Sequence, residues 1–226
     1  MIDKKVVVVA TGGTIAMKYD KEKHGLVPAC SGKDLADAVP GLGDIAPLEF
    51  VQFSNIASPG MTPQNMWDLH CKIEELLARD DVAGVVVTHG TDTLEETSFF
   101  LDITAKSQKP VVCTAAMRGA SDISPDGPYN IYCSVKTAAS PQAVGMGVMV
   151  CLDEILQAPG EVMKTHSANP ATFQSPWWGP IGYVDIDHIV WRRKVLGVKR
   201  FHPQALTARV DLIKLSLIHI SEPTRH

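Results

Sequence analysis

Val6-Val7-Val8-Val9-Ala10-Thr11-Gly12-Gly13-Thr14 runs an all-apolar segment straight into a glycine turn flanked by threonines. A second stretch repeats the arrangement, with Val85-Val86-Val87-Thr88 leading into His89-Gly90-Thr91-Asp92-Thr93. A short apolar run without polar alternation reads as a strand buried on both faces, and such strands belong to parallel sheets covered on both sides. Open α/β sheets bind ligands beyond the carboxyl ends of their strands. Both turns stand at such ends, so Thr14, Thr91 and Asp92 are expected to converge on one crevice.

The segments around these turns alternate between strand and helix patterns. Ser31 and Asp34 have the spacing of a helix start and predict a short helix over 34–39 that Pro40 stops. Residues 48–53 read as a strand. Thr62 reads as an N-cap with Pro63 at the first helical position, and Met66, Leu69, Ile73, Leu76 and Leu77 then share one helical face. After the strand at 82–88, Thr93 and Glu96 form a T-x-x-E pattern that predicts a capping box and a helix to about residue 105. The positive end of that helix faces the crevice. Strands follow at 111–115 and 144–152, separated by a polar loop over 117–127 and a helix over 128–139.

Repeated strand, crossover and strand units of this length force parallel pairing with right-handed crossovers, so the expected fold class is α/β with a doubly wound, mostly parallel sheet. Past Leu152 the pattern changes. Residues 161–176 are polar and irregular, while 181–186 and 189–193 flank Asp187-His188 as an antiparallel hairpin. A further apolar strand is expected to begin at 208–215, and 216–226 is read as a non-native tail. The expected division is one catalytic domain over 1–205, with 206–226 as a linker and the truncated start of a second domain.

Of the 226 residues, 45% are hydrophobic and 20% charged, an ordinary globular composition able to bury one substantial core. A formal charge of -4 and the lack of a basic stripe interleaved with aromatics argue against nucleic acid as a partner. No apolar segment approaches membrane-spanning length, and with the first strand so close to Met1 no signal peptide is expected. The five cysteines, Cys30, Cys71, Cys113, Cys133 and Cys151, are odd in number and widely spaced, which suits free thiols in the cytoplasm. The histidines are scattered without a Cys-x-x-Cys or His-x-x-x-His pair, so a structural or catalytic zinc site is not expected.

A threonine hydroxyl attacks a carbonyl only if a base takes its proton and N–H groups hold the resulting oxyanion. Gly12, Gly13 and Gly90 allow close backbone approach, and the helix after Asp92 adds N–H groups and a dipole that favours negative charge. Ionised Asp92 can accept from a substrate ammonium or from a lysine. The best-placed base is Lys164, in the polar loop after the sheet. Bland readings stand beside these. Glycine turns arise from backbone geometry alone, Thr93 reads as a cap, a lone lysine is commonly solvated, and His89 reads as a buried structural residue. Trp177 and Trp178 read as loop or interface packing.

Taken together, Thr11-Gly12-Gly13-Thr14-Ile15-Ala16, the block from His89 to Thr97, Ala116-Met117-Arg118, Ser124-Pro125-Asp126-Gly127-Pro128 and Lys164-Thr165 resemble the bacterial-type L-asparaginase/glutaminase family over about residues 4–215. The resemblance implies a flavodoxin-like catalytic domain, a smaller second domain, and a homodimer or homotetramer. It also implies cofactor-free hydrolysis of the side-chain amide of L-asparagine. Position by position, Thr14 matches the nucleophile, and Thr91, Asp92 and Lys164 match the second threonine and its proton-transfer partners, with Asp92 also gripping the substrate's α-amino group. Tyr19 is matched to the family's flexible-loop tyrosine. Ser58 matches a substrate-carboxylate contact, and Gly13, Gly90 and Ala116 line the site. Pro59 stands where many relatives have Gln. Rival readings are a relative acting on L-glutamine, an amidotransferase-type relative, and a non-catalytic module that binds an anion at the glycine turn.

Overall fold

The computed structural model describes residues 3–12, 17–20, 25–28, 39 and 41–210, and of 17–20 and 25–28 the backbone alone. Strand β1 (Lys5–Ala10) is followed by an antiparallel pair, β2 (Met17–Asp20) and β3 (Gly25–Pro28). Next come the short helix α1 (Leu42–Ile45), β4 (Leu48–Gln52), α2 (Pro63–Leu77) and β5 (Val82–Thr88). Helix α3 (Leu94–Thr104), β6 (Val111–Thr114), α4 (Gly127–Ala139) and β7 (Val148–Leu152) complete the alternation.

The main sheet places its parallel strands in the order β4-β1-β5-β6-β7. With the β2/β3 hairpin set aside, that is the 2-1-3-4-5 order of a flavodoxin-like sheet. The fold is α/β and doubly wound. Three antiparallel strands, β8 (Ile155–Gln157), β11 (Gly182–Val184) and β12 (Ile189–Trp191), extend it beyond β7. Between them, β9 (Met163–Lys164) and β10 (Phe173–Gln174) make a separate two-residue ladder.

Successive strand side chains point to opposite faces, so the valine runs serve two cores at once. Val6, Val8, Val86, Val112 and Met149 pack with Leu42 of α1 and with Ile131, Val135 and Ala138 of α4. Val7, Val9, Val85, Val87 and Val150 pack on the other side with Leu69, Ile73 and Leu76 of α2 and Leu94 and Leu101 of α3. Each fully buried valine contributes roughly 1.5–3 kcal/mol relative to exposure, and β-branching suits all of them to extended backbone. Thr62 caps α2 as expected: its hydroxyl accepts from Asn65 N at 3.2 Å and Asn65 Oδ1 accepts from Thr62 N at 3.0 Å.

At Gly84 the backbone of β5 touches its neighbours directly. A Cβ there would lie 2.6 Å from Ala138 O and 2.9 Å from Pro110 O. Helix α4 therefore approaches β5 as closely as it does only because position 84 carries no side chain. Farther along the chain, just past the end of β5, His89 is fully buried. Its Nδ1 lies 2.7 Å from Gly90 O and its Nε2 3.0 Å from Thr97 Oγ1. A carbonyl can only accept, so Nδ1 carries the proton and Nε2 accepts from the Thr97 hydroxyl. His89 is a structural latch between the turn after β5 and the side of α3, and both ring nitrogens are engaged.

Several expectations need correction. Thr93 occupies the N-cap position of α3 but makes no side-chain cap bond, so the Thr93/Glu96 capping box does not form; a tertiary acceptor takes the hydroxyl instead. The strand expected over 144–152 begins only at Val148, because Gly145 and Gly147 adopt positive φ and turn the chain. Asp153 and Glu154, both with positive φ, make a tight turn into β8, which the sequence did not signal because neither residue is Asn or Gly. The stretch 161–176 is not wholly irregular, since it holds β9 and β10. The hairpin after it forms, with strands shorter than expected and with 185–188 as its connection. The helix expected over 34–39 lies outside the described residues except for Val39. Residues 208–210 are irregular, and 211–226 lie outside the described residues. Cys71, Cys113, Cys133 and Cys151 are free thiols, and burial pushes those of Cys113 and Cys133 up to about 12; Cys30 lies outside the described residues. No helix among the described residues is long and apolar enough to cross a membrane.

Gly84→Ala is expected to lower the unfolding free energy by about 1–3 kcal/mol, the usual cost of overpacking, read from the urea midpoint at unchanged m. Burial pushes the His89 imidazole below its ordinary value, and burial does the same to His70. The unfolded chain then takes up these protons first, so the stability they carry is complete above about pH 6.5 and is lost as pH falls below it. His89→Gln is expected to lower the melting temperature at pH 7 and to flatten part of its decline towards pH 5, measured by thermal unfolding across that range.

Candidate active site

Strand β1 lies between β4 and β5, so the chain leaves it in one direction and returns on the other side; the crevice at the carboxyl ends of β1 and β5 is the switch point of the sheet. The two ends are tied together there. Thr11 donates to Thr88 O twice, from its backbone N at 3.1 Å and from its hydroxyl at 2.9 Å. The loop after β4 then closes over the turn: Ile56 N donates to Thr11 O at 2.8 Å, and so does Ser54 Oγ at 2.8 Å. Gly12 makes this contact possible. Its φ is 114°, and a Cβ there would lie 2.6 Å from Ile56 O and 2.7 Å from Ile56 N.

That loop delivers Ser58, which is buried in a short 3₁₀ turn, Ser58–Gly60. Its hydroxyl accepts from Asp92 N at 3.1 Å, and its carbonyl accepts from the Thr93 hydroxyl at 2.7 Å. Thr93 therefore fastens the Ser58 turn to the start of α3. Pro59, exposed beside it, offers no N–H and no side-chain amide.

On the other side of the same helix start, Lys164 of β9 reaches in from 73 residues away along the chain. Its Nζ lies 2.9 Å from Thr91 Oγ1 and 2.6 Å from Asp92 Oδ1. Thr91 is buried and Asp92 is exposed, with Lys164 between the two in accessibility. The ammonium thus bridges a buried hydroxyl and an exposed carboxylate. Lys164 takes Asp92 Oδ1; among the described residues Asp92 Oδ2 has no hydrogen-bond partner, and the Asp92 side chain is 57% exposed. The positive end of α3 stands directly behind the three groups.

The next strand end is built from below. Ala116, fully buried, follows β6, and Asp126 holds the backbone after it, accepting from Met117 N at 3.0 Å and from Arg118 N at 2.9 Å. Asn130 of α4 donates to Ala115 O at 2.9 Å and accepts from Asp153 N at 3.0 Å, joining the carboxyl ends of β6 and β7. The Ser124-Pro125-Asp126 stretch is therefore a brace for the Ala116 wall.

Of the residues singled out in the sequence, Thr91, Asp92, Lys164 and Ser58 meet around the first turn of α3, with Gly90 in the backbone of the same turn and Ala116 on the neighbouring strand end. Gly13 and Thr14 lie outside the described residues. Tyr19 lies in β2, whose backbone alone is described. Sequence reasoning missed the tertiary role of Thr93, the brace of Asp126 and Asn130, and Glu95, whose carboxylate accepts from Lys164 N at 2.5 Å. Spacing carries no signal for these contacts, which join residues as far as 69 positions apart.

A cavity of about 730 Å³ lies elsewhere, between α3 and the segment 194–201, with Asp102 and Arg200 on its wall, and it includes none of these groups. The crevice is selected by convergent chemistry rather than by volume. Asp185, Asp187 and His188 cluster on the β11–β12 connection with ligand-like spacing, but all three are exposed and His188 is bonded to Asp187.

The chain is 42% identical over 184 residues to L-asparaginase 2 of Bacillus subtilis (strain 168), an overlap that covers 80% of this chain and 49% of that protein. It is 40% identical over 191 residues to L-asparaginase 2 of Escherichia coli (strain K12), covering 83% and 54%, and 37% identical over 197 residues to the glutaminase-asparaginase of Pseudomonas fluorescens biotype A, covering 83% and 52%. The chain spans about half the length of the curated relatives it matches. Its structure superposes on the crystal structure of a probable cytoplasmic L-asparaginase from Campylobacter jejuni with a TM-score of 0.80 at 37% identity, covering 88% of this chain and 60% of that one. The family model described as asparaginase, N-terminal, matches residues 5–196, which take in the whole main sheet and both threonine turns, and the chain therefore belongs to the asparaginase family through that family's N-terminal domain.

Proposed function

We propose that the chain carries the catalytic machinery of an amidohydrolase that converts the side-chain amide of L-asparagine to L-aspartate and ammonia, without a cofactor. The observation that carries this reading is the Lys164 ammonium held against both Thr91 Oγ1 and Asp92 Oδ1 at the switch point of the sheet. Membership in the asparaginase family and relatives named L-asparaginase support it. A relative named glutaminase-asparaginase supports L-glutamine as a second substrate.

In this reading Thr14, two residues beyond Gly12 in the chain, supplies the nucleophilic oxygen, and Tyr19 relays its proton. The oxygen attacks the amide carbon, the C–N bond breaks, the nitrogen leaves as ammonia with the transferred proton, and an ester to Thr14 remains. Water then attacks the ester carbon, so that aspartate departs and the Thr14 hydroxyl is restored. Thr91 and Lys164 orient and polarise that water: the ammonium donates to Thr91 Oγ1, which leaves the threonine proton free to point at a substrate or water oxygen. Asp92 accepts from the substrate α-ammonium through the carboxylate oxygen that Lys164 does not use, and its attraction for Lys164 keeps the lysine side chain in place. Ser58, Pro59, Gly13, Gly90 and Ala116 form the walls, with Ser58 directed at the substrate carboxylate. Backbone N–H groups at the glycine turns and the positive end of α3 stabilise the oxyanion.

The domain division belongs to the same reading: residues 1–205 form the catalytic domain, and 206–226 lead out of it. So do a cytoplasmic location, supported by the Campylobacter jejuni relative named as a probable cytoplasmic L-asparaginase, and assembly as a homodimer or homotetramer.

Thr14→Ala is expected to abolish ammonia release from L-asparagine, while Thr91→Ala and Lys164→Ala each lower kcat by about 10²–10⁴-fold, the usual worth of a positioned proton-transfer group. A coupled ammonia assay on the purified variants checks both amides. Normal turnover in both threonine variants would rule out the mechanism.

A further inference from the structure

We infer that Glu95 is a positioning residue for Lys164, anchoring the backbone of β9 to the first turn of α3 so that the lysine ammonium reaches Thr91 and Asp92. The inference deepens the amidohydrolase reading and rests on it for its catalytic consequence, though not for the contact itself.

Lys164 needs such an anchor because its own strand supplies little. Strand β9 is two residues long and pairs only with β10, Lys164 opposite Phe173 and Met163 opposite Gln174. Val162 before it is buried, but Met163 is half exposed and Thr165 is exposed, so the core grips the segment on one side only. The Thr165 N–H is taken by Thr172 O at 2.8 Å, whereas the Lys164 N–H is taken by Glu95 Oε1 at 2.5 Å. The bond joins a carboxylate to a backbone N–H across 69 residues and is charge-assisted. Lysine carries a long, flexible side chain, and a displacement of its backbone by about an ångström is enough to cost a large factor in a reaction that needs aligned groups.

The first turn of α3 thereby fastens both flanks of the crevice: Thr93 holds the Ser58 carbonyl on one side, and Glu95 holds the Lys164 amide on the other. A simpler role for Glu95 is that of an acid at the positive end of a helix. Glu96 occupies that turn equally and is more exposed, which makes it the internal control.

The experiment compares Glu95→Ala, Glu95→Gln and Glu96→Ala in the chain, with Lys164→Ala and the Glu95→Ala/Lys164→Ala double variant. Glu95→Ala is expected to lower kcat for L-asparagine by about tenfold to a hundredfold with KM within about twofold. Glu95→Gln, which keeps an acceptor oxygen, is expected to retain kcat within about threefold, and Glu96→Ala to match the wild type. The double variant is expected to be no slower than Lys164→Ala alone, because Glu95 acts only through that lysine. The proposal is overturned if Glu95→Ala turns over within about twofold of the wild type, if Glu96→Ala loses as much, or if the Glu95→Ala loss multiplies onto that of Lys164→Ala. An activity-independent readout is the amide proton of Lys164 in a ¹H–¹⁵N spectrum, expected downfield in the wild type and Glu95→Gln and moved upfield in Glu95→Ala. If the wild type releases no ammonia, or Lys164→Ala keeps full turnover, it is the amidohydrolase reading that falls. The Lys164 amide then decides for or against the Glu95 contact alone, and an unmoved resonance overturns it.

Discussion

The carbonyl of Thr88 accepts two hydrogen bonds from Thr11, one from the backbone and one from the hydroxyl, and this closure of β1 onto β5 is the contact on which the crevice depends. It fixes the level at which the two strands stop. The Thr11-Gly12 turn and the His89-Gly90-Thr91 turn therefore leave the sheet side by side. Because β1 and β5 flank the point where the strand order reverses, no crossover covers their ends. The carbonyl of Thr11 then receives Ile56 and Ser54, which carries the closure outward into the Ser58 loop.

A second level of organisation sits on the first turn of α3. Ordinarily a helix start uses its own side chains to satisfy its N–H groups. Here the side chains turn outward: Thr93 to the carbonyl of Ser58, Glu95 to the amide of Lys164, and Asp92, just before the helix, to the Lys164 ammonium. In return Ser58 Oγ accepts from Asp92 N, which is one of the N–H groups at the helix approach. His89 fastens the same turn to the flank of the helix through Thr97 and is thereby occupied as a structural residue rather than a base. The charges are left where the helix dipole bears on them and where solvent can still reach Asp92.

Much of this was legible in the sequence. The runs at 6–10, 85–88 and 111–114 read as strands because they are short, rich in β-branched valine and, at the first two, followed by glycine turns, and the spacing of Met66, Leu69, Ile73 and Leu76 defines α2 together with its Thr62 cap. Thr91, Asp92 and Lys164 stand out without any geometry, Lys164 largely because its context matches a family block. Elsewhere local patterns misled. The T-x-x-E spacing of Thr93 and Glu96 offers a capping box, but a carbonyl brought in from residue 58 competes for the hydroxyl and wins. Strand β8 went unseen because its turn is made by Asp153 and Glu154 in a conformation usually given to Asn or Gly.

The sequence by itself determined the class of fold, the chain positions of the crevice turns and the chemical groups present there, because burial on both faces demands continuous apolar strands and close backbone approach demands glycine. Tertiary structure alone decided which of those groups touch. Hydrogen bonds are short-ranged and indifferent to chain separation, so the meeting of Lys164 with Thr91 and Asp92, the diversion of Thr93 to Ser58 and the grip of Glu95 on Lys164 follow from the packing of α3 and β9 against the sheet.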